Sequence, residues 1–414
     1  MKKYKEKIVR FLRWTQKYTK TDMVYLVKGG FWLTLGQIIS TAVLFGLGLA
    51  YANLWDPINY GNYKYILSLV GLLNIFTLSG MGTAITQAVA RGFEGSFYSA
   101  FKEKFRWGLL GSFGAVVLSG YYFYKENFKL SIPLLIAALF LPLMEASKIY
   151  LSYLSGKRKF EFNTRYKNLS EIISAAVIII TLFFTNNLFL VIGAYFTSHA
   201  LMNFFFYNLV KAKFQPNEKE DPKTLPFGKQ QSLISVLGNI SNKLDHLLIF
   251  HYLGAMEIAI YSFSIMLPEQ IRGVLKNVQT LSLPKLANKS RKEIKENIFG
   301  KIWQLFLFSA IIAIVYVVTA PFIYNILFPK YEESILYSQL LSIYILTNPG
   351  LSIAVLEAKI AKKERLALTL TTRTLEIVLL FFSIINYGLI GAIATKIIIG
   401  IITFLLSLWL VKKI

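Results

Sequence analysis

Residues 302–327 read IWQLFLFSAIIAIVYVVTAPFIYNIL, a run without a charged side chain that is long enough to cross the hydrocarbon core of a bilayer as one helix. With 55% hydrophobic and 16% charged residues, the 414-residue chain has the composition of a membrane protein. Apolar windows of similar length recur throughout it. The sequence therefore predicts an all-α polytopic membrane protein with about twelve transmembrane helices. The windows lie near residues 30–52, 64–86, 107–124, 131–153, 168–185, 188–210, 231–252, 258–281, 302–327, 334–357, 366–386 and 388–411.

A polar segment divides these windows into two sets of six. Residues 211–230 (KAKFQPNEKEDPKTLPFGKQ) contain three prolines and no apolar periodicity, which predicts a cytoplasmic linker with solvated acidic residues. Similar short stretches in the two halves, such as Leu35–Ile38 and Leu237–Ile240, indicate an internal repeat. The predicted organisation is a basic cytoplasmic segment 1–28, an amino-terminal lobe 29–210, the linker 211–230, a carboxy-terminal lobe 231–411 and a cytoplasmic tail 412–414.

Basic residues are concentrated in every second loop. The loops that we assign to the cytoplasm hold 35 of the 45 Lys and Arg residues, nine of them in residues 1–28, whereas the opposite loops hold only Lys125, Lys129 and Lys330. This asymmetry follows the positive-inside rule, so the net charge of +23 does not indicate a nucleic-acid partner. We expect a multi-pass protein of the cell (inner) membrane with both termini in the cytoplasm. Residues 1–28 form either a helix on the inner leaflet or a solvated tail.

The chain lacks the residue patterns of common catalytic and metal sites. It contains no cysteine, which excludes disulfides, thiolate ligands and cysteine nucleophiles, and its three histidines are not clustered. We predict no catalytic residue, no metal and no cofactor. The protein is therefore not expected to be an enzyme.

Short motifs occur in a characteristic order along the chain: Lys28–Trp32 (KGGFW), Tyr60–Tyr63 (YGNY), Gly80–Ala84 (GMGTA) running toward Arg91, and Asn242–Ile249 (NKLDHLLI) followed by Tyr261 and Ser262. Together they resemble the polysaccharide-flippase branch of the multidrug/oligosaccharidyl-lipid/polysaccharide (MOP) exporter superfamily, which includes the O-antigen flippases. The resemblance covers essentially the whole chain. It implies two six-helix lobes that form a V around a central cavity, as in multidrug exporters of the MATE type.

The resemblance also implies a function and partners. The expected activity is alternating-access transport of a polyprenyl-diphosphate-linked oligosaccharide, such as an O-antigen or another surface-polysaccharide repeat unit, from the inner to the outer leaflet. The expected partners are this lipid-linked substrate and membrane lipids. A polysaccharide polymerase and the chain-length machinery are candidate protein partners.

Ten ionisable residues lie inside the predicted spans. At about 2.5 to 3.5 kcal/mol each, leaving all of them against lipid would cost roughly 25 to 35 kcal/mol, so they must face one another or a wet cavity. Six are basic and four are acidic, an excess that suits a substrate with an anionic head group. They are Glu145, Lys148, Lys243, Asp245, Glu269, Arg272, Lys276, Arg373, Glu376 and Lys396.

Helical spacing groups several of these charges. Glu269, Arg272 and Lys276 share one stripe of a helix, and Arg373 shares another with Glu376. Local pairing of Glu269 with Arg272, or of Arg373 with Glu376, is the structural alternative. Arg272 and Lys276 repel each other at this spacing unless an anion or a second acid lies between them, which makes them the leading candidates for contact with the diphosphate.

The remaining basic residues are further candidates for contact with the diphosphate or the sugar. They are Lys243, Arg373, Lys396 and Lys148. Coupling to a Na+ or H+ gradient would need an acid near the middle of the membrane, and Asp245 and Glu269 are the candidates. The alternative for Asp245 is a buried partner of a basic residue on the eighth or eleventh predicted helix.

Two other functions are open to a chain of this kind. A cation-coupled multidrug exporter of the same superfamily would prefer an acidic cavity, and the positive excess argues against it. A polytopic glycosyltransferase or polymerase would need a catalytic domain or a large external loop, and the sequence contains neither.

Overall fold

The computed structural model describes residues 23–287, 291–347, 349–358 and 362–413. These residues form α-helices, short 3-10 turns and connecting loops, and no strand occurs among them. The predicted all-α fold is therefore confirmed. Most of the predicted basic segment, residues 1–22, lies outside the described residues, so both interpretations of that segment stay predictions.

The helices of the first half follow one another with short connections. They are α1 Met23–Leu54, α2 Pro57–Leu73, α3 Met81–Ala90, α4 Ser96–Tyr124, α5 Phe128–Ser147, α6 Ile149–Gly156, α7 Phe160–Phe184 and α8 Leu188–Phe214. The described helices of the second half are α9 Thr224–Leu253, α10 Ala255–Ala287, α11 Arg291–Leu327, α12 Ser334–Leu340, α13 Ile343–Leu346, α14 Gly350–Ala358 and α15 Lys362–Lys413. The predicted windows 64–86, 131–153 and 334–357 are each divided among consecutive helices, and each of the others corresponds to one helix or, in α15, to one part of it.

In the described part of the chain, seven helical segments are long and apolar enough to cross a membrane, and the bent pair α2 and α3 makes an eighth. This result confirms a multi-pass membrane fold. Helix α15 contains two of the predicted windows, because its backbone breaks at Gly388 with φ 57° and ψ −136°. Helices α9 and α10 are outside this apolar set and carry five of the eight charged residues predicted for the site, among them Asp245 and Arg272.

The chain forms two compact units. Unit 1 contains the described residues up to Gly48 together with Leu73–Ser235, and unit 2 contains Leu49–Leu72 and the described residues from Val236 onward. The end of α1 and most of α2 thus belong to the same unit as the carboxy-terminal helices. The lobe boundaries derived from the sequence, 29–210 and 231–411, stay a prediction.

The YGNY motif explains how α2 packs within unit 2. A Cβ atom at Gly61 would collide with the backbone carbonyl of Ala255, at the start of α10. Beside it, the Tyr60 ring packs on Phe263 with 5.0 Å between ring centroids, and the Tyr65 ring stacks on Phe250 at 3.7 Å. Glycine is therefore required at this position by close approach of two backbones.

We expect Gly61→Ala to lower the thermal unfolding midpoint of the detergent-purified protein by several degrees, because backbone atoms of α10 would have to move to accommodate the methyl group. Gly300→Ala is the matched control, since a Cβ at that helical position meets no atom within 4 Å. Such an open helical position gains about 0.4 to 1 kcal/mol from alanine. The two variants should thus shift the midpoint in opposite directions; equal shifts would contradict the packing at Gly61.

The predicted linker is attached to unit 1 by specific hydrogen bonds. The side chain of Asn217 accepts from the backbone N–H of Glu94 at 3.2 Å and donates to the carbonyl of Gly92 at 3.0 Å. The N–H of Gly95 donates to the carbonyl of Lys219 at 2.9 Å. Because several backbone groups are paired across the two loops, this part of the linker has a defined position on the loop between α3 and α4.

Asp221 completes the attachment and corrects one expectation. Its carboxylate is only 8% exposed and lies 2.5 Å from the guanidinium of Arg91. The expectation of a solvated run of acids, Glu218, Glu220 and Asp221, is therefore wrong for Asp221. Composition alone had not shown that one of the three acids is turned toward the protein.

Asp221→Ala should expose the linker to limited proteolysis. Loss of the carboxylate removes the pair with Arg91 and the hydrogen bond that Asp221 accepts from the Lys223 N–H at 3.0 Å. We expect trypsin to cleave after Lys219 and Lys223 several-fold faster than in the parent protein. Glu220→Ala, at an exposed neighbouring position, should leave the cleavage rate unchanged. Equal rates in all three proteins would show that the linker is not held by Asp221.

Candidate functional site

A cavity of about 400 Å³ lies inside unit 2, between α10, α13, α14 and the two parts of α15. Its volume falls in the range of about 300 to 1,000 Å³ that is usual for ligand pockets. Three basic and two acidic side chains line it. They are Arg272, Arg373, Lys396, Glu269 and Glu376. The two charged stripes predicted on separate helices therefore border one cavity.

The side chain of Arg272 lines this cavity and packs over an aromatic ring. Its guanidinium carbon lies 3.6 Å from the centroid of the Tyr344 ring. Among the described side chains, Arg272 forms no salt bridge, so the alternative of a local pair with Glu269 is not what the structure contains. A guanidinium stacked on a ring keeps its N–H donors in its own plane, where they can bind a phosphate with two hydrogen bonds.

Arg373 does form the local pair that was the structural alternative. Its guanidinium lies 2.8 Å from the carboxylate of Glu376. The same carboxylate accepts a hydrogen bond from the hydroxyl of Ser241 at 2.5 Å. Arg373 therefore lines the cavity as a partly neutralised cation.

Lys396 lies between two carboxylates from different helices. Its ammonium nitrogen is 3.2 Å from Glu269 of α10 and 3.5 Å from Asp245 of α9. Two roles are predicted for Asp245 from the sequence: coupling to an ion gradient, or pairing with a basic residue on the eighth or eleventh predicted helix. Its observed basic partner comes from the twelfth, which is the second part of α15.

Asp245 is buried and lies within hydrogen-bonding distance of several groups. The Tyr261 hydroxyl donates to it at 2.8 Å, and both the backbone N–H and the Nδ1 of His246 lie 2.8 Å from it. These contacts join Asp245 of the motif Asn242–Ile249 to Tyr261, which follows that motif in the sequence. Hydrogen bonds and a nearby cation are what a carboxylate needs to stay charged away from water.

Two further lysines belong to the surroundings of this site. Lys243 was predicted; its side chain packs over Gly71 and interacts electrostatically with Asp245 and Glu269. Lys64 was missed, and it interacts with the same two acids. The sequence contains a signal, because Lys64 follows the YGNY motif directly, but it lies at the edge of an apolar window, where the pattern does not separate a span from a loop.

Lys148 and Lys276, which are predicted to contact the substrate, are not among the described residues of this site. Lys148 belongs to unit 1, where its ammonium lies 2.5 Å from Glu145. Lys104, which lies between two of the predicted spans, is buried near this pair and donates to the carbonyl of Thr77 at 2.7 Å. Lys276 lies in α10, but its side chain is outside the described residues.

No metal site was predicted, and the described residues contain no group of three His, Asp or Glu side chains that could hold a metal ion. The Lys396 ammonium is within 3.5 Å of both acids that were candidates for ion coupling. Their arrangement can hold a cation between oxygen atoms. In this structure that cation is the side chain of the protein itself.

Solved structures of MOP-superfamily transporters share this fold. The lipid II flippase MurJ in an inward closed conformation is 15% identical, with a TM-score of 0.69, over 93% of this chain and 87% of that one. An outward-facing multidrug resistance MATE family transporter is 12% identical, with a TM-score of 0.62, over 93% and 96%. A MOP superfamily transporter from Pyrococcus furiosus, described with a binding pocket of reverse polarity, is 12% identical, with a TM-score of 0.53, over 94% of each chain.

Sequence comparison identifies the family. No curated protein matches the chain. The profile of the family described as "Polysaccharide biosynthesis protein" matches residues 26–276, which is more than half of the sequence. That stretch includes the YGNY motif, the attached linker, α9 and the part of α10 that carries Glu269 and Arg272. The chain is therefore a membrane protein with the MOP-superfamily fold, and it belongs to the polysaccharide biosynthesis protein family.

Proposed function

We propose that this protein is a flippase that carries a polyprenyl-diphosphate-linked oligosaccharide from the inner to the outer leaflet of the cell (inner) membrane by alternating access. The observation that carries the proposal is the cavity in unit 2, where Arg272, Arg373 and Lys396 face Glu269 and Glu376. A diphosphate is the part of such a substrate that hydrocarbon excludes most strongly. A cavity that is lined by more cations than acids can bind the diphosphate, so that its negative charge does not have to enter the hydrocarbon. The polysaccharide family and the lipid II flippase among the similar structures support the same substrate class.

The three cations would act differently on the diphosphate. Arg272 can bind two phosphate oxygens with its planar fork, held in orientation by Tyr344. Lys396 provides a point charge whose position is set by Asp245. Arg373 would bind a phosphate oxygen either while it is still paired with Glu376 or after this ion pair has separated. The oligosaccharide would require uncharged hydrogen-bonding groups, and Thr369 and Thr372 also line the cavity.

Orientation and energy coupling are part of the proposal. The loop asymmetry in Lys and Arg supports cytoplasmic termini. Coupling to a Na+ or H+ gradient would involve Asp245 and Glu269, which share the Lys396 ammonium. The polysaccharide polymerase and the chain-length machinery stay candidate partners, since the transported repeat unit would be their substrate.

Reconstitution tests the proposal against multidrug export. Proteoliposomes containing the full-length protein would be supplied with a fluorescent undecaprenyl-diphosphate-linked oligosaccharide, and its outward movement followed by quenching with dithionite. We expect movement above that of protein-free vesicles, with a rate that responds to an imposed Na+ or H+ gradient. Ethidium should not be transported. Ethidium transport without movement of the lipid would overturn the proposal in favour of a multidrug exporter.

A further inference from the structure

Two of the three basic residues that line the cavity already form ion pairs with acidic residues of the protein. Glu269 lies 3.2 Å from Lys396, and Glu376 lies 2.8 Å from Arg373. Any anionic ligand that enters must therefore compete with these carboxylates. Which of them gives way depends on how firmly each is held.

The two acids that contact Lys396 are held very differently. Asp245 is 9% exposed and accepts hydrogen bonds from Tyr261 and His246. Glu269 is 49% exposed, lines the cavity and forms an ion pair with Lys396. Water can therefore solvate the Glu269 carboxylate if it leaves the lysine, whereas Asp245 would lose several buried contacts. Glu269 is the displaceable partner and Asp245 the permanent one.

Glu376 is also held more firmly than Glu269. Its carboxylate is 14% exposed and is shared between Arg373 and the hydroxyl of Ser241. On α10, Glu269 precedes Arg272 by one turn, which places the displaceable acid next to the cation that has no described carboxylate partner. An anion bridging Arg272 and Lys396 would occupy the region that the Glu269 carboxylate now shares with Lys396.

We propose that Glu269 is an internal competitor for the diphosphate. When the diphosphate binds, Lys396 exchanges the Glu269 carboxylate for a phosphate oxygen and keeps Asp245; when the substrate leaves, Glu269 returns. This inference rests on the proposed function and adds a role for an acid in a cationic cavity. The exchange limits affinity and so permits release, because an empty cavity with unpaired cations would hold the diphosphate too tightly.

Binding of undecaprenyl diphosphate to the full-length protein in lipid nanodiscs tests this exchange, with undecaprenol as the uncharged probe. We expect Glu269→Gln to lower the Kd for undecaprenyl diphosphate about 3- to 10-fold and to slow its release. Glu332→Gln, an exposed position that does not line the cavity, is the matched control and should not change the Kd. Unchanged or weaker binding by Glu269→Gln would overturn the exchange.

A second comparison separates exchange from a general gain in positive charge. The double variant Lys396→Met/Asp245→Asn loses one positive and one negative charge, so it keeps the net charge but lacks the lysine that exchanges its partner. Adding Glu269→Gln to this double variant should therefore have little effect on the Kd for undecaprenyl diphosphate. An undiminished gain in that background would show a general charge effect and overturn the proposal. Glu376→Gln, which removes the more firmly held acid and frees Arg373, should give a smaller gain than Glu269→Gln; a larger gain would contradict the ranking of the two acids.

The outcomes also distinguish this inference from the proposed function. If the parent protein binds undecaprenol and undecaprenyl diphosphate equally, the cavity does not recognise the diphosphate and the proposed function fails. If the parent protein prefers the diphosphate but Glu269→Gln binds it no better, only the exchange fails.

Discussion

Arg272→Ala is expected to abolish complementation of a strain that lacks its polysaccharide flippase, with the variant present in the membrane at the parent level. The guanidinium forms no salt bridge with a described carboxylate and rests on the Tyr344 ring, so its removal leaves no buried acid unpaired among the described residues. The loss should therefore fall on substrate binding rather than on stability. Two charge-assisted hydrogen bonds are worth about 3 kcal/mol or more, which corresponds to a loss of roughly 100-fold in affinity.

Arg272→Lys is the informative control for this prediction. Lysine keeps the positive charge but lacks the planar fork and the stacking geometry. We expect partial glycan display and a transport rate between those of the parent protein and Arg272→Ala. Wild-type display by Arg272→Ala, measured with equal amounts of protein, would remove this residue from the site. Full activity of Arg272→Lys would mean that charge alone is sufficient.

Lys396→Met is expected to lower both stability and transport. Removing the ammonium leaves Asp245 as a buried carboxylate without its cation, and breaking a buried pair in this way costs about 3 kcal/mol or more. The thermal unfolding midpoint of the purified protein should fall by several degrees. Glycan display should be lost together with the lysine.

The double variant Lys396→Met/Asp245→Asn separates these two effects. With the carboxylate neutralised, no uncompensated charge remains at this position. The carboxamide oxygen of the introduced asparagine can still accept from the His246 backbone N–H, and its NH2 group can donate to the Tyr261 hydroxyl oxygen. We expect most of the lost stability to return while transport stays absent. Recovery of transport together with stability would show that Lys396 has a purely structural role and does not contact the substrate.

Several features of the site could be predicted from residue order alone. Charges inside apolar windows are costly, so the sequence was sufficient to select Arg272, Arg373, Lys396, Asp245 and Glu269 as residues that avoid lipid. Helical periodicity then assigned Arg373 and Glu376 to one stripe, and the structure contains that local pair. Both steps depend only on the cost of charge in hydrocarbon and on the repeat of the α-helix.

The sequence did not predict which charged residues on different helices pair with each other. Glu269 is one turn from Arg272, yet it pairs with Lys396, which is distant in sequence. Lys64 interacts electrostatically with the same two acids although it lies on a helix in the first half of the chain. Such contacts depend on which helix faces which, and a single sequence carries no direct record of that.

The sequence by itself determined that this protein is a bundle of membrane helices, since a window of about twenty apolar residues has no other stable location and satisfies its backbone groups only as a helix. It also determined that a small set of charges must be sheltered from lipid. Only the tertiary structure decided which charges meet: it brought α10 and both parts of α15 around one cavity, attached the linker through Asn217 and Asp221, and set Lys396 between Asp245 and Glu269. The physical reason is that helix formation is a local property, whereas salt-bridge partners and cavities arise from side-chain packing between segments far apart in the chain.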